Sequence, residues 1–377
     1  MLFKRDSVDT NELKSKHAEY YQGELGREHS HFGSGEVTLT RSGNSANETA
    51  INTAISFLES QGVSQVRAYL LNGFYYESKP TVIERCDVVD SLDEADILLM
   101  AHQAITPNGH FSPEKYQGEV HRLIESMKQR AVAHTEKIFF IVYDKTQDIG
   151  AQVFGDGEDM PQNLVVFETA SLSKFQRGGV NYFYGILQDW KPDLPELSDE
   201  LSKQLLLSRS GLTEMGVVSF PHITKGEIQR RIERNSSTRK KVEEFFKMRN
   251  ERLPENEQVF IDYTNFSFYI IPAELHTMLE LSRNNERKLS GSEIKKKIKD
   301  LENPAASLWY SNFKSKAKYY PTITAGDSFG MHETRITNFS TTLKIAEANI
   351  RVLALRVSYG LDTSDDELLR FLSECFA

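Results

Sequence analysis

The sequence predicts an α/β protein in which a mostly parallel β-sheet, covered by helices, is followed by a smaller α+β domain. Short continuous apolar runs alternate with stretches of helical periodicity in the first half of the chain, as expected for strands that are buried on both faces. After about residue 220 the pattern changes to a long charged helix and an aromatic, β-rich segment. We therefore expect an N-terminal arm over 1–35, a large domain over 36–220 and a small C-terminal domain over 221–377.

The first predicted helix follows a small, polar segment. Its apolar residues recur at helical spacing: Ala50, Ile51, Ala54, Ile55 and Leu58. Ser45 or Asn47 can cap its start, and Glu48 lies three residues after Ser45, which is a capping-box pattern. Further helices are expected over 116–130 and 226–248 and near the C-terminus, in the capped segment that begins at Thr363. Four apolar runs are expected to be strands: 66–71, 97–100, 138–143 and 164–167.

Composition excludes several classes of protein. The 377 residues carry a net charge of −9, so no general affinity for nucleic acid or anionic lipid is expected. The two cysteines, Cys86 and Cys375, form no CxxC pair, which argues against a disulfide framework and a metal site. No apolar run reaches the ~20 residues of a membrane span, and the first residues contain no apolar signal region. We expect a cytoplasmic protein without a nucleic-acid or membrane partner.

A lysine lies in the turn that follows the strand at 164–167. Ser171-Leu172-Ser173-Lys174, followed by Gly178-Gly179, places an amine beside two hydroxyls. That arrangement suits an enzyme that holds an aldehyde cofactor as a Schiff base and anchors its phosphate. The alternative is a solvated loop.

Polar residues also lie where two other strands end, and ligands of open parallel sheets bind at such ends. Asp144 follows the strand at 138–143, where its carboxylate could hold a protonated ring nitrogen or cap the next turn. Tyr75 and Tyr76 follow the strand at 66–71, where a ring could stack on a planar cofactor or simply pack.

Two further segments offer positive potential. Ser42, Gly43 and Asn44 open the first helix, whose N-terminal N–H groups suit a phosphate, although an ordinary capped helix start has the same composition. Arg356 is a lone charge in an alternating, strand-like run. Its guanidinium could bind a substrate carboxylate bidentately or form a structural ion pair.

Taken in their order along the chain, these segments resemble the cystathionine γ-synthase family, the Cys/Met metabolism group of fold type I pyridoxal-phosphate enzymes. Residues 171–179 resemble that family's Ser-x-Thr-Lys-Tyr-x-x-Gly, residues 143–146 its Val-Asp-Asn-Thr, and residues 42–46 its Ser-Gly-Met-x-Ala. Residues 75–78 resemble Tyr-Gly-Gly-Thr, residues 328–334 resemble Ser-Leu-Gly-Gly-x-Glu-Ser, and residues 355–362 resemble Ile-Arg-Leu-Ser-x-Gly-Ile-Glu.

The chain departs from the family pattern at three places. Thr106 stands where the Asn of Ser-Asn-Pro is expected, and Glu77-Ser78 replaces Gly-Gly. The family's Tyr-x-Arg, which reaches the phosphate of the neighbouring subunit, has no clear copy. Residues 40–44 could instead match the Arg-Ser-Gly-Asn of that motif, but their distance from Tyr75 favours the phosphate cup.

The resemblance implies fold type I, pyridoxal 5'-phosphate as cofactor and a role for each matched residue. Lys174 would form the Schiff base and move the α-proton, and Asp144 would hold the ring nitrogen. The cofactor would further contact Ser42, Gly43, Asn44, Tyr75, Tyr76, Thr106, Ser171 and Ser173. Tyr76 or Tyr75 would stack on the ring and deliver a proton to the leaving group. The substrate carboxylate would contact Ser328 and Arg356. His332, at a variable position of its motif, would face the substrate side chain, and a surface histidine is the alternative.

The resemblance implies a lyase or transferase that eliminates or replaces a group at Cβ or Cγ of an amino acid, in sulfur or specialised amino-acid metabolism. It also implies a homodimer or homotetramer. An aminotransferase, a decarboxylase or a non-catalytic homologue remains an alternative. An unrelated nucleotide-binding protein is disfavoured because the chain contains no GxxxxGK[ST] motif.

Overall fold

The computed structural model describes the following residues: 16, 19, 37–71, 74, 78–102, 113–146, 153–154, 160–171, 185–189, 194–207, 225–273, 276, 305–326, 333–345 and 348–376. The chain divides into two compact units, Met1–His102 with Val120–Ile228 and Gln103–Glu119 with Gln229–Ala377. The expected N-terminal arm lies outside the described residues, apart from residues 16 and 19.

The described strands of the first unit form a seven-stranded sheet in the order β1-β7-β6-β5-β4-β2-β3. They are β1 Val37–Thr40, β2 Arg67–Leu70, β3 Asp87–Val89, β4 Ile97–Ala101, β5 Phe139–Asp144, β6 Leu164–Ser171 and β7 Gly185–Asp189. β7 runs antiparallel to its neighbours β1 and β6, and the other pairs are parallel. β4, β5 and β6 are buried along their whole length. The strands predicted at 66–71, 97–100, 138–143 and 164–167 are confirmed.

Helices alternate with these strands along the chain. They are α1 Gly43–Ser60, α2 Lys79–Arg85, α3 Pro113–Ala133 and α4 Pro195–Leu207. The predicted apolar stripe of α1 is buried, and it shares one hydrophobic core with Leu197 and Leu201 of α4 and with Phe140 and Phe167 of the sheet. The burial of this stripe fixes α1 against the sheet.

The predicted caps of α1 are wrong. The helix begins at Gly43, and Ser42 is its N-cap, with an extended backbone and a side chain that accepts from the Ser45 backbone N–H at 2.9 Å. Ser45 and Asn47 are both residue types that cap helices, but they lie inside the helix here. The helix therefore reaches back to the end of β1.

The second unit contains a five-stranded sheet, as far as its residues are described, in the order β10-β11-β12-β9-β8. Its strands are β8 Val259–Tyr263, β9 Ser267–Pro272, β10 Ile323–Ala325, β11 Thr334–Ile345 and β12 Ala348–Ser358. Its helices are α5 Lys225–Asn250, whose first four residues belong to the first unit, α6 Ala305–Ala317 and α7 Asp365–Cys375. These confirm the predicted long helix, the β-rich segment and the capped C-terminal helix, and the structure identifies Ser364 as its N-cap. No helix within the described residues is long and apolar enough to cross a membrane.

One face of the second sheet carries the core of its unit. Phe268 of β9 and Leu355 of β12 pack with Phe313 of α6 and Phe371 of α7. Because side chains alternate along a strand, the intervening residues Tyr269 and Arg356 point to the opposite face. This arrangement removes Arg356 from the hydrophobic core.

Candidate active site

Six of the seven described strands of the first sheet, all except β7, run in one direction and end at the same edge. β1, β6 and β5 run in one direction, so Thr40, Ser171 and Asp144 all lie at its carboxyl edge. β7 runs the opposite way between β1 and β6, and its first residue, Gly185, pairs with both Thr40 and Ser171. The sheet therefore brings the predicted residues Ser42, Gly43, Asn44, Ser171 and Asp144 to one edge of the first unit.

The start of α1 lies directly against the end of β6. A Cβ atom at Gly43 would lie 2.5 Å from the Cβ of Ser171 and 3.0 Å from its Oγ. Contacts that short do not occur, so a side chain at this position would push the two backbones apart. Glycine is required at position 43 by this close approach.

The first turn of α1 is a cluster of hydrogen-bond donors. The first backbone bond within the helix is from Ala46 N–H to the Ser42 carbonyl, so the N–H groups of Gly43 and Asn44 lie at the positive end of the helix. The exposed Arg41 donates through Nε to Ser45 Oγ at 3.2 Å, which holds its charge over the same turn. This set of neutral and positive donors suits a phosphate group.

Asp144 is the buried anion of this edge. It is 4% exposed; its Oδ2 accepts from Asn47 Nδ2 at 3.1 Å and its Oδ1 accepts from the Thr146 backbone N–H at 2.9 Å. The bond from Thr146 is the turn cap that the sequence also allows for Asp144. The other bond comes from α1, and Asn47 in turn accepts a hydrogen bond from the Thr169 hydroxyl of β6. Donors on both oxygens stabilise the charged carboxylate.

A second polar cluster lies on the other face of the sheet. Tyr143 and Lys145 flank Asp144 in sequence and therefore point away from α1. The Tyr143 hydroxyl is hydrogen-bonded to His102 Nδ1, and Lys145 Nζ lies 3.3 Å from Glu168 Oε2 in a buried ion pair. Burial, together with the charge of Lys145, lowers the pKa of His102 to about 3. His102 is therefore neutral at pH 7 and contributes structure to this edge.

Arg356 lies in β12 of the second unit and is 3% exposed. Its neighbours across the sheet are Thr337 and Tyr269, so the three side chains share a face. The Tyr269 hydroxyl is hydrogen-bonded to Arg356, and burial raises the pKa of this phenol. Tyr269 is thus a neutral partner that fixes the guanidinium.

Other predicted site residues lie outside the described residues. They are Tyr75, Tyr76, Thr106, Ser173, Lys174, Ser328 and His332. No group of three or more His, Cys, Asp or Glu side chains that could hold a metal occurs in the described part of the chain.

Sequence reasoning missed the contribution of Asn47 and Thr169 to the site. The sequence offers Asn47 as one of two candidate helix caps, but the side chain is 1% exposed and contacts Asp144. A signal was present: positions 47, 51, 54 and 58 lie on one face of a helix, so Asn47 is a polar residue within the apolar stripe. The polar position of Thr169 in β6 gave no comparable signal.

Comparisons with known proteins identify the fold. No protein-family model matches the chain, and no curated protein sequence matches it. A cystathionine γ-lyase structure from yeast matches over 97% of this chain and 84% of its own, with 13% identity and a TM-score of 0.51. A cystathionine γ-lyase structure from Micromonospora echinospora matches over 97% and 86%, with 12% identity and a TM-score of 0.52.

The structure of an O-acetylhomoserine sulfhydrylase from Wolinella succinogenes matches over 98% of both chains, with 10% identity and a TM-score of 0.52. Such low identities establish the fold and leave the activity open. The α/β architecture expected from the sequence is confirmed, and the chain has the fold of fold type I enzymes.

Proposed function

We propose that this chain is a pyridoxal 5'-phosphate-dependent enzyme that acts on an amino acid. One observation carries the proposal: a buried carboxylate, Asp144, lies at the same sheet edge as the donor-rich turn formed by Ser42, Gly43 and Asn44. The cofactor has a phosphate dianion at one side and a basic ring nitrogen at the other, so it needs donors and a carboxylate in one site. The residues present fit both requirements.

The phosphate would be held where α1 meets β6. Ser42 and Ser171 offer hydroxyls, and Gly43 and Asn44 offer backbone N–H groups at the positive end of α1. The absence of a side chain at Gly43 lets the end of β6 approach the helix start, which brings the Ser171 hydroxyl to the first turn of α1. Ser173 is proposed to add a third hydroxyl, since it follows Ser171 by two residues.

Asp144 would hold a proton on the ring nitrogen. Hydrogen bonds from Asn47 and Thr146 satisfy both oxygens of the buried carboxylate, and a buried carboxylate interacts strongly with an adjacent cation. When bound, the cofactor supplies an electron sink that stabilises negative charge at the α-carbon of an amino acid. Tyr75 or Tyr76 is proposed to stack on the ring, with Tyr76 protonating the leaving group, and Thr106 is proposed as a further cofactor contact.

Lys174 is proposed to bind the cofactor covalently and then to move the α-proton of the substrate. It follows the end of β6 by three residues, so the chain leaves the correct sheet edge immediately before it. A neutral amine held at this position can act as a base, and its fixed position directs it to the α-proton of the substrate.

Arg356 and Ser328 are proposed to bind the α-carboxylate of the substrate, and His332 to face its side chain. The buried position of Arg356 and its neutral partner Tyr269 support a guanidinium that is held rigidly. A fixed carboxylate determines which bond to the α-carbon breaks.

We propose elimination or replacement at Cβ or Cγ as the reaction, in sulfur or specialised amino-acid metabolism. Among the structures that share this fold are two γ-lyases and a sulfhydrylase, which supports this class of reaction. Transamination or decarboxylation would use the same residues and is the second candidate. We also propose a cytoplasmic homodimer or homotetramer, and light scattering of the purified protein tests the assembly.

The cofactor is tested by the visible absorption spectrum of the purified protein after incubation with pyridoxal phosphate. We expect a yellow band in the unaltered protein, its loss in Lys174→Ala, and its retention in Lys203→Ala. Lys203 is an exposed lysine on α4 and serves as the matched control. Identical spectra for the unaltered protein and Lys174→Ala would contradict the assignment of Lys174.

The reaction is tested by product analysis with amino acids that carry a leaving group at Cβ or Cγ. Elimination releases an α-keto acid and ammonia, whereas transamination leaves the cofactor as pyridoxamine phosphate. Cofactor binding without any reaction would favour the non-catalytic alternative.

A further inference from the structure

We propose that Asn47 and Thr169 are positioning residues that hold Asp144 charged and directed at the cofactor's ring nitrogen. This inference rests on the proposed function. It concerns a hydrogen-bonded chain that joins three elements: β6, which carries Thr169, α1, which carries Asn47, and β5, which ends in Asp144.

The three hydrogen-bonded side chains are buried. Thr169 and Asn47 are each 1% exposed and Asp144 is 4% exposed. Buried polar groups that satisfy one another form a stiff network because each lost hydrogen bond leaves a desolvated partner. The orientation of the Asp144 carboxylate is therefore coupled to α1 and to β6.

The direction of the hydrogen bonds follows from chemistry. Asn47 Oδ1 can only accept, so the Thr169 hydroxyl donates to it. That contact directs the amide nitrogen of Asn47 towards Asp144 Oδ2, to which it donates. The reverse orientation of the amide would set two acceptors against each other. An ionised Asp144 can only accept, so it selects this orientation of the amide, and the Thr169 hydroxyl stabilises the orientation by donating to Asn47 Oδ1.

The position of Asn47 on α1 links both sides of the site. Asn44, in the donor-rich turn, and Asn47 lie three residues apart, so they are neighbours on one helix face. The helix that presents N–H groups to a phosphate also holds the carboxylate for the ring nitrogen. We infer that α1 sets the separation between the phosphate contact and the ring-nitrogen contact.

The test replaces each positioning residue and measures protonation of the ring nitrogen directly. Full-length protein is loaded with pyridoxal phosphate labelled with ¹⁵N in the ring, and the ¹⁵N chemical shift is recorded. In Asn47→Leu we expect the shift to move towards that of the unprotonated ring. We also expect cofactor binding about tenfold weaker, because a hydrogen bond to a charged group is lost.

Thr169→Val is the second variant, since it preserves volume and remains informative if Asn47→Leu fails to fold. We expect a smaller ¹⁵N shift in the same direction. Thr53→Val is the matched control: Thr53 is a buried threonine of α1 that donates to the Thr49 carbonyl. Thr53→Val should lower the free energy of unfolding about as much as Thr169→Val does, while the ¹⁵N shift stays at the value of the unaltered protein.

The outcomes separate this inference from the proposed function. If the unaltered protein binds no pyridoxal phosphate, the proposed function fails and this inference fails with it. If the cofactor binds but its ¹⁵N shift is the same in the unaltered protein and in every folded variant of Asn47 and Thr169, the inference alone is overturned.

Discussion

Gly43, the first residue of α1, lies against Ser171, the last residue of β6, so closely that a Cβ at position 43 would lie 2.5 Å from the Ser171 Cβ. The contact joins two segments that are more than a hundred residues apart in sequence. It places the donor-rich helix start beside the end of the strand that precedes Lys174 in sequence.

Gly43→Ala should separate these two backbones. We expect the free energy of unfolding to fall by about 1–3 kcal/mol, as for other overpacked sites, and the affinity for pyridoxal phosphate to decrease. Thermal denaturation and a cofactor titration measure the two effects. Gly118→Ala in α3 is the control, since its Cβ would meet no described atom within 4 Å. That substitution should stabilise the helix by roughly 0.5–1 kcal/mol. Equal stability of the two variants would contradict the close approach.

Arg41→Ala should weaken binding of the cofactor's phosphate. The guanidinium lies over the first turn of α1, held by Ser45 at 3.2 Å. We expect about tenfold weaker binding at low ionic strength and a smaller effect at 1 M salt, where exposed charges are screened. Arg85→Ala is the control: Arg85 is likewise bound to α1, through Asn52 and Glu59. An effect of Arg41→Ala that is independent of salt would contradict an electrostatic role.

His102 should make the fold sensitive to acid. Burial and the charge of Lys145 lower the pKa of His102 from 6.5 to about 3, so between these values the unfolded chain binds one proton more than the folded chain. The free energy of unfolding is therefore unaffected by the titration of His102 above pH 6.5. Below pH 6.5 it falls by at most about 1.4 kcal/mol per pH unit.

His102→Gln should flatten this part of the stability profile, whatever its effect at pH 7. Denaturant unfolding at pH 7, 6, 5 and 4.5 measures the slope. His134→Gln, at an exposed histidine after α3, should leave the slope unchanged. Parallel profiles for His102→Gln and the unaltered protein would contradict the lowered pKa.

Arg356 and Tyr269 should affect substrate binding to different degrees. Arg356→Ala should raise KM for an amino acid about 100-fold, as expected for loss of a charged hydrogen-bonded pair. Tyr269→Phe should raise it only about fivefold, because the guanidinium keeps its charge and loses one neutral partner. Tyr319→Phe, at an exposed tyrosine of the same unit, is the control.

An amine analogue that lacks the carboxylate distinguishes a role of Arg356 in binding the carboxylate from a role in supporting the fold. Its affinity should be the same in the unaltered protein and in Arg356→Ala. If Arg356→Ala weakens both ligands equally, the residue supports the fold of the second sheet and does not bind the carboxylate.

Strands and helices that a local pattern of apolar residues indicates were predicted correctly from the sequence. The buried strands β4, β5 and β6 are continuous apolar runs, and the stripe of α1 has a clear helical period. The cap of α1 was wrong because Ser42, Ser45 and Asn47 are all capable of capping, and local sequence does not reveal which one has an extended backbone. The strand that β1 pairs with could not be predicted either, since β7 lies more than a hundred residues away.

The sequence by itself determined the α/β class, the four predicted strands of the first sheet, the apolar stripe of α1 and the chemical types available at the strand ends, because periodicity and composition are local properties. Only the tertiary structure decided that Ser42, Gly43, Ser171 and Asp144 share one edge, since that depends on strand order and direction. It also decided that Asn47 contacts Asp144 rather than a helix end. Burial is the reason: a polar side chain that packing encloses must find its partner inside the fold, and the fold alone specifies which partner is near.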